Sequence, residues 1–187
     1  MELQGNSRSA ASCLNPQDLT PALELDDRTV LTQSLEDGRR SPVYELERMP
    51  GHLVRRLQQI ATALFAEECG AFELTPIQYA ALVVIRGIEG LDATRVSALI
   101  SLDRATVGDV LFRMEKKGWL ERYASPEDRR VKLLRLTEAG AEVLAQAGDP
   151  VLRVQERLLE PLALESRATF LHLLSQLTEG HAERELK

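Results

Sequence analysis

The sequence predicts a mainly α fold with a small antiparallel β element (α+β), in which a helix pair is followed by a hairpin. Three observations carry that reading. From residue 50 to 117 apolar side chains recur at three and four positions, the period of helices buried on one face. From 119 to 136 the spacing changes to that of two short strands. From 137 the helical spacing returns and runs almost to the C-terminus.

The elements follow in order. Residues 1–27 are polar and without sustained periodicity, and 28–48 are mixed, so 1–43 is expected to be a mobile N-terminal extension. A helix is predicted from about Pro50, a residue suited to a first turn, to Cys69, with Gly70 as its stop and Leu53, Leu57, Ile60, Ala61, Leu64 and Phe65 on its apolar side. Thr75 followed by Pro76 opens the next, whose nearly continuous apolar run to Ile85 predicts burial on most sides. A short helix from about Ala93 to Ile100 and a turn at Ser101, Leu102 and Asp103 lead into a helix over 104–117. That helix carries Val107, Val110, Leu111 and Met114 inward and ends at Gly118. Trp119–Tyr123 and Val131–Leu136 read as two strands joined by the basic loop Ala124–Arg130. Thr137 and Glu138 reopen a helix to about residue 162, kinked at Gly148, Asp149 and Pro150. A last helix is predicted over about 165–181, with Phe170, Leu173, Leu174 and Leu177 on one face.

Composition narrows the function. The chain has 187 residues, 44% hydrophobic and 28% charged, within the range of globular proteins. No window approaches the roughly 20 apolar residues of a membrane span, and the N-terminus has neither the basic start nor the apolar core of a signal peptide. A cytoplasmic protein with no membrane partner is expected. Cys13 and Cys69 make no disulfide framework and lie outside metal-ligand spacing, so neither metal nor cofactor is expected. No nucleophile elbow, phosphate-cradling glycine loop or metal-spaced histidine pair is present, His172 and His181 being nine apart, which argues against an enzyme.

The net charge of -6 is misleading, because it is unevenly placed. Residues 101–135 hold nine basic and six acidic side chains, net +3, while the rest holds 14 basic and 23 acidic, net -9. Phosphate binding depends on the local field, so an acidic whole can carry a basic reading head. Helix, short turn, helix and an arginine-bearing hairpin together make a winged helix-turn-helix, whose second helix is placed to enter the major groove.

LDRATVGDVLFRMEKKGWLER (102–122) and SPEDRRVKLLRLTEAG (125–140) resemble the MarR family of transcriptional regulators. The second stretch holds the family's wing signature, Asp128-Arg129-Arg130 followed by Leu136-Thr137 and Gly140. The resemblance is close over 75–140 and extends by helix order over about 44–181; residues 1–43 have no counterpart. It implies four regions: an extension (1–43), an N-terminal dimerisation helix (44–74), a winged helix-turn-helix DNA-binding domain (75–140) and C-terminal dimerisation helices (141–187). It implies a transcription-regulating homodimer, a repressor on a double-stranded DNA operator. Leu152, Leu158, Leu159, Phe170, Leu173, Leu174 and Leu177 would supply the dimer's apolar contacts.

On that reading Asp128 pairs with Arg104 or Arg130 and fixes an arginine towards DNA, and Arg129 or Arg130 enters the minor groove. Arg122 and Lys132 suit phosphate contacts. The reading face of helix 104–117 comprises Ala105, Gly108, Asp109, Phe112, Arg113 and Lys116, with Arg104 and Thr106 at its edges. Arg104 and Arg113 suit bases or phosphates, and Thr106 a thymine methyl or a phosphate. Asp109 and Phe112 depart from the commoner family pattern. Asp109 either accepts from a cytosine amine or braces Arg113 four residues on, with bracing favoured; Phe112 packs under the wing or faces DNA. The family also binds small aromatic carboxylates, for which His52, Arg56 (with Arg55 beside it) and Tyr79 are the candidates here. The stretch MPGHLVRRLQQIATALFAEECG (49–70) resembles regulators of aromatic-acid catabolism, nicotinate-degradation repressors among them. The alternative is a thiol-based redox sensor of the same fold, although neither Cys13 nor Cys69 has a basic neighbour arranged to stabilise a thiolate.

Overall fold

A computed structural model describes residues 46–185, with side chains as far as His181. The extension expected over 1–43 lies outside the described residues, as does Cys13. Residues up to His52 form a separate unit, of which a helical turn at 46–48 and the first residues of α1 are described.

Helix α1 spans Pro50–Cys69, as its sequence predicts, and turns Phe65 and Cys69 inward. A 3-10 turn at Gly70–Phe72 follows and closes on Glu73, whose left-handed backbone lets its N–H donate to the Gly70 carbonyl at 3.0 Å. Thr75 and Gln78 then form a reciprocal capping box, which satisfies two of the N–H groups left open at the start of α2, Pro76–Gly87. Ala81, Leu82 and Ile85 of α2 are buried against α3, α4, α5 and the sheet, but Val83 is exposed. One side of the helix is therefore open, a departure from the near-complete burial its composition predicts.

Strand β1, Leu91–Asp92, is a two-residue element that no periodicity reveals. It exists because Leu91 and Asp92 pair antiparallel with Leu134 and Leu133. Asp92 also caps α3, Ala93–Leu99, by accepting from the Arg95 N–H at 2.8 Å. Ser101 takes a left-handed conformation, and Ser97 holds the turn by bonding to the Leu102 carbonyl. Helix α4, Arg104–Lys116, buries Val107, Val110, Leu111 and Met114. At its end Gly118 adopts φ +73, with Gly118 N donating to Glu115 and Trp119 N to Met114, a Schellman closure.

The hairpin joins β2, Leu120–Ala124, to β3, Lys132–Leu136, in register from Leu120↔Leu136 to Ala124↔Lys132. Both strands begin one residue later than the alternation suggests, because Trp119 belongs to the helix closure and Val131 to the loop, where it donates to the Asp128 carbonyl. The sheet order is β1-β3-β2.

The kinked helix predicted from 138 to 162 is two helices, α5 (Glu138–Gln146) and α6 (Gly148–Leu159). Pro150 is the third residue of α6, where an N–H would have had no intrahelical partner, so the proline fits a helix start. Glu68 of α1 accepts from Arg153 Nε at 2.8 Å and Arg157 NH1 at 2.9 Å, and Glu67 accepts from Arg157 NH2 at 2.8 Å, clasping α1 to α6. Helix α7, Leu164–Glu185, is longer than predicted and leaves Leu164, Leu171, Leu173 and Leu177 exposed.

A Cβ built on Gly140 would stand 1.9 Å from the Trp119 carbonyl oxygen, so Gly140→Ala should lower unfolding stability by roughly 1–3 kcal/mol. Gly108→Ala, with open space at its Cβ, should be neutral or stabilising by up to about 1 kcal/mol, both read by denaturant titration. Hydrogen bonds from Arg153 and then Arg157 hold the Glu68 carboxyl below the usual carboxylate range. The clasp should therefore contribute fully above pH of about 4.3 and fade as pH falls through the lower folded-state value. Amide exchange in α6 should show that loss in the parent and not in Glu68→Gln.

Candidate nucleic-acid interface

The candidate interface is built from α4 and the hairpin. Burying one stripe of α4 turns Ala105, Asp109, Phe112, Arg113 and Lys116 outward, with Gly108 between them and Arg104 in the first turn, all as the helical period predicts. Asp103 caps the helix: its carboxylate accepts from the Thr106 N–H at 2.9 Å and from the Thr106 hydroxyl at 2.6 Å. These bonds hold the Asp103 carboxyl below its usual range, the hydroxyl bond most. They also commit the Thr106 hydroxyl to the protein, leaving its methyl as the group available to a thymine.

Phe112 is 52% exposed, so it does not pack under the wing. Lys116 Nζ lies 4.7 Å from its ring centroid, a cation–π contact along one helix turn. Asp109 forms no ion pair with Arg113 among the described residues, which corrects the expected brace. Arg113 and Lys116 border a shallow cleft with Lys117, Glu73, Thr75 and Gln78 at the start of α2. Lys117 donates to the Glu73 carbonyl at 2.7 Å and covers the Trp119 ring, which sequence reasoning did not foresee.

The wing tip is ordered by its own side chains. Asp128 Oδ1 accepts from the Arg130 N–H at 3.0 Å and from Arg130 Nε at 3.2 Å, so Arg130, not Arg104, is its partner. The Asp128 carboxyl is held below its usual range by the backbone bond first and the guanidinium second. The Arg130 side chain remains 91% exposed, and Arg129 beside it is exposed as well. Ser125, buried at the loop's base, donates to Glu127 at 2.6 Å. Arg122 is turned towards α4, pairing with Glu115 at 3.1 Å, while Lys132 is exposed opposite Ala124. Arg135 pairs with Glu121 at 2.6 Å directly across the ladder, a contact that the correct register would have exposed in the sequence.

The expected effector residues are spread along the chain. His52 lies in the first turn of α1. Arg56 is exposed on α1, and the half-buried Tyr79 of α2 meets the Phe65 ring edge-on at 6.3 Å. Nine helical residues separate Arg56 from Phe65, which puts them on opposite sides of α1 and about 13.5 Å apart along its axis. The structure therefore does not bring Arg56 and Tyr79 together within one chain. Among the described residues no group of three His, Cys, Asp or Glu is placed to hold a metal, and no helix is long and apolar enough to cross a membrane.

Comparison with known proteins agrees with this geometry. Residues 74–132 match the model of the MarR family. A putative transcriptional regulatory protein for the hcr operon of Thauera aromatica is 31% identical over 134 residues, covering 71% of this chain and 81% of that protein. The transcriptional repressor CouR, solved bound to a 23-mer DNA duplex, superposes with TM-score 0.69 at 28% identity, covering 74% of this chain and 99% of CouR. BpsR of Bordetella bronchiseptica, whose structure concerns regulation of its DNA binding by 6-hydroxynicotinic acid, superposes with TM-score 0.67 at 25% identity, covering 70% and 94%. With the helix pair, the wing and most of the length of these relatives in common, the chain belongs to the MarR family of transcriptional regulators.

Proposed function

We propose that this chain is a sequence-specific DNA-binding regulator, a repressor that acts as a homodimer and leaves its operator when a small aromatic carboxylate binds. The observation that carries the reading is the fixed junction of an exposed, basic reading helix with an arginine-tipped wing. The reading helix enters the major groove and the wing the minor groove, so one rigid head makes both kinds of contact. The DNA contacts fall to Arg104, Arg113 and Lys116 of α4, the Thr106 methyl, and Arg129, Arg130 and Lys132 of the wing. Asp128 keeps Arg130 aimed, and Arg122, shared with Glu115, serves register. Arg129→Ala and Arg130→Ala change an exposed tip, so stability should shift by no more than about 0.5 kcal/mol. Operator affinity should fall across sequences, and the slope against salt should flatten by about one unit per lost contact. Unchanged affinity at matched salt would remove the wing from the mechanism.

The homodimer is supported by apolar surface that the described chain leaves uncovered. Leu53, Val54 and Ile60 of α1, Leu152 of α6, and Leu171, Leu173 and Leu177 of α7 are exposed. A two-fold pair of heads would span half-sites about 10 base pairs apart. Light scattering should give a dimer, and a folded monomer gripping one half-site tightly would contradict it.

The effector reading draws on BpsR, whose DNA binding is regulated by a hydroxylated pyridine carboxylate. Arg56 is the carboxylate's proposed partner. Because one chain does not bring Tyr79 to it, Tyr79 is proposed as a donor from the other protomer of the dimer, and His52 as a further donor, each to be tested separately. A ligand acts only through unequal affinity for the two head spacings, and a coupling of about 1–3 kcal/mol would weaken operator binding roughly 5–150-fold. Calorimetry with hydroxylated benzoates and nicotinates should show weaker binding to Arg56→Ala and to Tyr79→Phe than to the parent; equal affinity in either variant removes that residue. The redox alternative is disfavoured by Cys69, which is fully buried and whose thiol is pushed up by burial and then by Glu68.

A further inference from the structure

Five of the six acidic side chains between residues 101 and 135 are engaged by protein groups. Asp103 is held by Thr106, Glu115 by Arg122, Glu121 by Arg135, Glu127 by Ser125 and Asp128 by Arg130. Asp109 is exposed and, among the described residues, accepts no hydrogen bond and forms no ion pair. It is the sixth residue of α4, in the half of a recognition helix that meets base edges. Arg113, four residues on, has the right spacing to neutralise it and does not.

An unpaired carboxylate on a phosphate-binding surface is repelled unless a donor meets it. In the major groove guanine offers acceptors at O6 and N7, and thymine an acceptor at O4, so both repel a carboxylate. Adenine offers its N6 amine beside the N7 acceptor. Cytosine offers its N4 amine with no acceptor on its own groove edge. Neighbouring side chains make the approach possible. Ala105 lies one turn before Asp109 and Gly108 immediately precedes it, so on the N-terminal side little side chain holds the backbone away from the base edges and a short aspartate can reach, while the exposed Phe112 stands on its C-terminal side.

We propose that Asp109 is a specificity-determining residue that accepts a hydrogen bond from the N4 amine of one cytosine in each operator half-site. The inference rests on the DNA-binding reading above and adds the base that this head selects. Asp109 thus lowers affinity for DNA in general and restores it at sites that present cytosine at one position.

The test is binding selection from a randomised duplex pool with the full-length parent, then affinities for single-base variants of the selected operator, for parent, Asp109→Ala and Asp109→Asn. Circular dichroism confirms that each variant folds. The parent should prefer cytosine at one position per half-site by about tenfold. Asp109→Ala should lose that preference while holding non-specific DNA at least as tightly, and Asp109→Asn, which both donates and accepts, should shift the position towards adenine. Retention of the cytosine preference in Asp109→Ala overturns the assignment. So does a uniform rise in affinity over every variant with an unchanged profile, which would make Asp109 a repelling charge only. Loss of the same preference in Arg113→Ala would transfer the reading to a braced arginine. Failure of the parent to select any sequence would instead overturn the DNA-binding reading itself.

Discussion

The head depends on a backbone contact between Trp119 and the start of α5. The Trp119 carbonyl accepts from Thr137 N at 3.1 Å, and α5 passes so close to it that only a residue without a Cβ fits at 140. The Thr137 hydroxyl donates to the Gly118 carbonyl and accepts from Gly140 N, so one side chain caps α5 and fastens the end of α4. Three elements meet here: the reading helix ends, the wing begins and returns, and the first helix beyond it starts. A shift at this point would change the angle between α4 and the hairpin.

The electrostatic design is local. An acidic protein carries a positive head because residues 101–135 hold nine bases against six acids, and five of those acids are engaged by protein partners. Asp128 does more than neutralise, since accepting from both the backbone and the guanidinium of Arg130 limits where a 91% exposed arginine can point. Glu115 and Glu121 similarly draw Arg122 and Arg135 onto the protein surface. Solvent-exposed pairs of this kind add little stability, and their effect here is on direction.

Beyond the head, α1 is tied to α6 by two arginines on adjacent carboxylates, while Leu164, Leu171, Leu173 and Leu177 of α7 are left uncovered. This contrast separates the contacts a single chain completes from those that need another surface. Burying exposed leucines removes apolar area from water, the driving force for such association.

The sequence by itself determined the elements whose causes are local. The Thr75-Pro76 start, the four-residue stripe of α4, the glycine stop at 118 and the arginine-bearing loop all follow from caps, periodicity and left-handed backbone, which short segments encode. The identities of the outward-facing residues on α4 were legible for the same reason. Only the tertiary structure decided matters set by distant partners: β1 exists through pairing with residues 42 or so positions later, and Gly140 is required by a carbonyl 21 residues away. It also decided among side-chain alternatives that the sequence left open. Arg130 and not Arg104 meets Asp128, Phe112 faces outward, and Asp109 stands unpaired, because a rotamer answers to the whole field of neighbours that packing creates.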